Sequence, residues 1–90
     1  MGTALFKIKI MPKSVDTDLD NIKKKSELII SMEQGKNIKM EIEPIAFGLN
    51  ALIASFAREE TLGSDNLLEK LQKISNVSSA EVIDFRRALG

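Results

Sequence analysis

Residues 16–27 read DTDLDNIKKKSE and set carboxylates at the first, third, fifth and twelfth places: Asp16, Asp18, Asp20 and Glu27. That is the spacing of a calcium-binding loop. The sixth place of such a loop needs glycine for its sharp turn, and here it holds Asn21. From residue 18 onward the stretch also follows a helical period, which a coordinating loop cannot, so the acids are assigned to helix capping. Lys23, Lys24 and Lys25 could engage a phosphate or an acidic partner, but a run on the outer face of a helix reads first as solvated surface. Arg58, Glu59 and Glu60, with Asp65 and Glu69, offer carboxylates without a histidine, cysteine or glycine-rich partner, and read as a solvated loop and helix start. Arg86 and Arg87 stand close to the C-terminus as two guanidinium forks. Such a pair suits phosphate or carboxylate recognition, or simply keeps a tail soluble.

The chain contains no His, Cys, Trp or Tyr. Without histidine it lacks the side chain best suited to move protons near neutral pH, and without cysteine it has neither thiolate nucleophile nor thiolate metal site. The five glycines are scattered at 2, 35, 48, 63 and 90, so no glycine-rich phosphate cradle exists. These absences argue against a self-contained enzyme and against a resident cofactor. Thirteen basic residues balance thirteen acidic ones, which disfavours nucleic acid as the main partner. No apolar stretch approaches the roughly 20 residues of a membrane helix. The N-terminus lacks the basic and apolar regions of a secretory signal, so the expected location is the cytoplasm.

The elements that must position these groups follow from hydrophobic period. In ALFKIKIM, 4–11, Ala4, Phe6, Ile8 and Ile10 alternate with Leu5, Lys7, Lys9 and Met11, predicting a strand with a buried even face, ended by Pro12. In TDLDNIKKKSELII, Leu19, Ile22, Ser26, Ile29 and Ile30 share one helical face, with Thr17 and Asp20 placed as a capping box and Gly35 as the exit. NIKMEIE, 37–43, alternates as a half-exposed edge strand. LNALIASFA, 49–57, is apolar on both parities, as a central strand should be. Leu67, Leu68, Leu71 and Ile74 mark a second amphipathic helix, and VSSAEVIDF, 77–85, a last strand. The order β-α-β-β-α-β predicts one domain over 1–90. Its fold class is α+β: a ferredoxin-like four-stranded antiparallel sheet with both helices on one face and the first and third strands central.

One segment stands out from this scheme. In EPIAFGLNALIA, 43–54, Pro44 ends the edge strand, and Gly48 permits a backbone angle that other residues avoid. Ile45, Ala46 and Phe47 then sit at the connection of the central hairpin. Phe47 is one of only four aromatic residues, all phenylalanine. Its ring either folds over the end of the core or serves as a contact anchor on a stiff turn, the kind of residue that carries disproportionate binding energy.

EPIAFGLNALIA resembles the segment of the elongation factor one beta family that reads Pro-Ile-Gly/Ala-Phe-Gly followed by an alternating strand. The opening FKIKIMPKSVDTDLDNI and the ending NVSSAEVIDFRRAL are similar to the archaeal form of that family. The resemblance implies a guanine-nucleotide exchange factor acting on elongation factor one alpha, a GTPase. It implies partner contacts at Pro44, Ile45, Phe47 and Gly48 and in the C-terminal segment, where Arg86 and Arg87 lie. Eukaryotic relatives carry a penultimate lysine that reaches toward the magnesium site. This chain has Leu89 there, so that role does not carry over. Either Arg86 or Arg87 replaces it, or displacement of loops alone loosens the metal. Two other readings of the same topology are an RNA-binding sheet, which stacks bases on strand aromatics, and a small-molecule regulatory module.

Overall fold

The computed structural model describes residues 2–87. Six regular elements follow one another: β1 (Thr3–Pro12), α1 (Leu19–Met32), β2 (Lys36–Pro44), β3 (Asn50–Glu59), α2 (Asp65–Gln72) and β4 (Val77–Arg87). The strands form one sheet in the order β2-β3-β1-β4, every neighbouring pair antiparallel. This is the ferredoxin-like α+β arrangement predicted from period, with β1 and β3 at the centre.

Alternation explains the layering. Ala4, Phe6, Ile8 and Ile10 of β1 are all at or below 4% exposure and face Ile22 and Ile30 of α1 and Leu67 and Leu71 of α2. The opposite parity, Leu5, Lys7 and Lys9, stays on the uncovered sheet face, opposite Ala57, Ser55 and Ile53 of β3. Two of the four phenylalanines, Phe6 and Phe56, are buried, and Phe85 packs against Phe6 while remaining 48% exposed. Phe6 is in register with Phe56 on one side and Phe85 on the other. Its ring stacks on Phe56 at 5.5 Å and meets Phe85 edge-on at 5.1 Å. Such pairs add to the area they bury.

Several boundaries differ from the sequence expectation, each for a local reason. The cap of α1 is Asp18, not Thr17: the Asp18 carboxylate accepts from the Asp20 N–H at 3.0 Å and the Asn21 N–H at 3.4 Å. Thr17 is instead engaged with Ser14, whose N–H donates to its hydroxyl at 3.2 Å. The exit of α1 is a Schellman motif in which Gln34, at φ 70°, is the left-handed residue. The Gln34 N–H donates to Ser31 and the Gly35 N–H to Ile30 at 2.8 Å. Gly35 is required for closeness rather than for its φ. A Cβ there would lie 2.3 Å from Ile30 Cγ2 and 2.9 Å from the Ile30 carbonyl. Ile74 lies beyond the end of α2 but still reaches the core, at 8% exposure. Ile42, on the apolar parity of β2, is 58% exposed, close to the hairpin end of this edge strand.

Candidate partner interface

The connection between β2 and β3 begins where Pro44 pairs with Asn50. Across it, the Ile45 N–H donates to the Leu49 carbonyl at 2.6 Å and the Leu49 N–H to the Ala46 carbonyl at 3.3 Å. Between them Phe47 sits at φ 63°, ψ 30° and Gly48 at φ 78°. Two successive left-handed residues closed by that i to i+3 bond match a type I′ turn, which ordinarily takes Asn-Gly. Gly48 suits its position, whereas a bulky residue at Phe47's position costs of the order of 1–2 kcal/mol. The ring draws nothing from the interior in return: Phe47 is 96% exposed, the most exposed large apolar side chain among the described residues. Ile45 and Leu49, on either side, are half-buried and tie the turn to the body.

Arg86 and Arg87 are not on a tail beyond the last strand, as expected, but within β4, paired with Leu5 and Ala4. The ladder between β1 and the end of β4 extends further than the apolar pattern of 77–85 signals, because non-local pairing carries the polar residues with it. Both side chains are 75% exposed and each is ion-paired: Arg86 Nε with Asp84 at 3.2 Å, and Arg87 Nε with Glu60 at 3.0 Å. They lie at the opposite end of the sheet from Phe47. Leu5 and Ala4 align with Ala57 and Arg58, seven to eight residues along β3 from Asn50, about 23–26 Å at 3.3 Å per residue. Pro44, Ile45, Phe47 and Gly48 are therefore brought together and the arginines are not. Leu89 lies outside the described residues.

The sequence reads Arg58 as part of a solvated loop, and the structure corrects this. It belongs to β3 and is 5% exposed, with its guanidinium donating to the Gly63 carbonyl at 3.0 Å and lying 3.7 Å from Glu33 Oε1. Its parity is that of Leu52, Ala54 and Phe56, which is the signal that it points inward. Glu33, just past α1, also accepts from Lys70 of α2. The hydrogen bond from Lys70, with the nearby positive charges of Lys70 and Arg58, holds the Glu33 carboxyl below the usual carboxylate range against a smaller opposing effect of burial. A depressed folded-state value means that this stabilisation is complete above the ordinary glutamate pKa of about 4.3 and is lost as pH falls below it. The difference in urea midpoint between the parent and Glu33→Gln should therefore be constant at neutral pH and shrink on acidification toward pH 3. A difference independent of pH would show that the ion pair is not its source.

Among the described residues no group of three or more His, Cys, Asp or Glu side chains converges as a metal site, and no helix is long and apolar enough to cross a membrane. An open sheet over two helices, with an aromatic raised on a closed turn, defines the class: a small ferredoxin-like α+β protein whose most unusual feature is displayed outward. Residues 5–88 match the EF-1 guanine nucleotide exchange domain. Elongation factor 1-beta of Methanosarcina barkeri is 41% identical over 88 residues, spanning 97% of this chain and 99% of its own. That of Saccharolobus solfataricus is 40% identical over 89 residues, with 97% of each chain covered, and that of Methanobrevibacter smithii 38% over 90 residues, with 99% and 100% covered. The chain belongs to the EF-1 guanine nucleotide exchange family.

Proposed function

We propose that this protein is a translation elongation factor that promotes GDP release and GTP reloading on elongation factor one alpha, acting in the cytoplasm as an exchange factor rather than as an enzyme. The observation that carries the reading is Phe47: a ring 96% exposed, on a left-handed residue, in a chain that stacks its other three phenylalanines across the sheet. Membership of the EF-1 guanine nucleotide exchange family supports elongation factor one alpha as the partner. Pro44, Ile45 and Gly48 fix the turn, and Phe47 enters an apolar depression on the GTPase.

Exchange needs no reactive side chain. Nucleotide is held by backbone donors around its phosphates and by a Mg²⁺ that demands near-octahedral geometry. A bound protein that displaces those loops weakens both. Arg86 and Arg87 supply a second contact, distinct from the turn. The described body is 41 Å along its longest axis, so its two ends can meet different parts of the partner. Among the described residues no aromatic side chain lies on the uncovered sheet face, since Phe6, Phe56 and Phe85 share the helix-facing parity. An RNA-binding sheet would need aromatics on that face.

Binding reciprocity supplies the test. A factor that weakens nucleotide binding must itself bind nucleotide-bound GTPase more weakly, by the same factor. Calorimetric titration into elongation factor one alpha should show tighter binding to the nucleotide-free form than to the GDP–Mg²⁺ form. Equal affinities would overturn the reading.

A further inference from the structure

The loop between β1 and α1 reads KSVDTD, 13–18, and holds a single apolar residue, Val15, in polar surroundings. Val15 is 59% exposed. The loop is nonetheless ordered by its own bonds: the Thr17 N–H donates to the Ser14 carbonyl at 3.3 Å, and the Lys13 N–H to the Asn76 carbonyl at 2.9 Å. Val15 thus sits at the second position of a closed four-residue turn. That turn lies against the Phe47 turn, for a side-chain carbon built on Gly48 would be in ordinary contact with Val15 Cγ1 at 3.9 Å. Two short turns from distant parts of the sequence therefore bring exposed Val15 against Gly48, the residue that follows Phe47, with Ile45 and Leu49 of the same turn partly exposed. The exposed charged residues nearest in sequence to Val15 and Phe47 are Asp16, Asp18, Asp20 and Glu43 against Lys13.

We infer that Val15 is a second contact residue, and that the GTPase surface it meets with Phe47 is an apolar depression rimmed by Lys and Arg. This rests on the exchange reading and deepens it. The two residues are held by different turns, so the pair is ordered before binding, which lowers the entropic cost of docking. Apolar contacts at the centre govern dissociation, and the acidic rim governs association and its salt dependence.

The experiment measures association and dissociation of this protein with nucleotide-free elongation factor one alpha for the parent, Val15→Ser, the shape-conserving Val15→Thr, Phe47→Ala and the double variant. Circular dichroism verifies each fold. Val15→Ser should weaken binding about tenfold, chiefly through faster dissociation. Val15→Thr should do so by a few-fold, and Asp16→Asn should slow association at low salt and flatten its salt dependence. Weakening by Phe47→Ala with no effect of either Val15 variant would overturn the inference and leave the exchange reading standing. No weakening by Phe47→Ala would remove the turn as the contact site, and this inference with it.

Discussion

Phe47→Asn is expected to leave the protein at least as stable as the parent and to remove most of its ability to release GDP. Both halves come from one geometry. Asparagine tolerates the left-handed conformation found at φ 63° and is the residue a type I′ turn prefers before glycine. Relief of the strain should raise stability by about 0.5–1 kcal/mol, a rise of a few degrees in melting temperature for a domain of this size. Nothing is lost from the core in exchange, because the ring is 96% exposed and buries almost nothing. The partner contact is lost instead. An aromatic anchor of this kind contributes on the order of 2 kcal/mol or more, about 30-fold in kcat/KM for exchange. Thermal melts and fluorescent-GDP release on the same preparation separate the two effects. A large loss of stability would mean that the ring supports the fold, against the geometry of the turn.

Phe6→Ala should do the reverse. Phe6 lies between Phe56 and Phe85, at 4% exposure and in register with both. Truncating a buried phenylalanine costs about 3–5 kcal/mol, and each lost aromatic pairing adds to that. The whole domain is worth about 5–13 kcal/mol at typical values per residue. The variant should therefore unfold at a much lower urea concentration and lose exchange in proportion to the unfolded fraction. Stabilised by an osmolyte, it should regain near-normal exchange, since Phe47 is untouched. A shift in midpoint no larger than that of an exposed substitution would contradict the placement of Phe6 as the centre of the stack.

The comparison of these two phenylalanines shows what the sequence makes legible. The alternation of Phe6 with Lys7 and of Ile8 with Lys9 reports burial directly, because strand period and sheet layering are the same fact. Topology followed from the order of periods, and the edge position of β2 from its charged outer parity. The turn was legible as Pro44 and Gly48, but the left-handed angle at Phe47 was not. It arises from closure of the Ala46–Leu49 turn, which overrides the preference of the residue occupying it. Arg58 was misread because charge is a strong surface signal, while its partners, Glu33 and Gly63, come from other elements. The same limit hid Val15, whose neighbour Gly48 is remote in sequence. The separation of Arg86 and Arg87 from the turn was likewise set by the β1–β4 register rather than by any local pattern.

On the proposed function, the exposed Phe47 ring is what opens the nucleotide site of the GTPase. This is tested most directly by stopped-flow release of fluorescent GDP from elongation factor one alpha, with excess unlabelled nucleotide, in the presence of the parent or Phe47→Asn. Release should rise with parent concentration to a plateau, with little acceleration by a variant that melts no lower than the parent. Release unchanged by the parent, or accelerated equally by both proteins, would contradict this role of the ring.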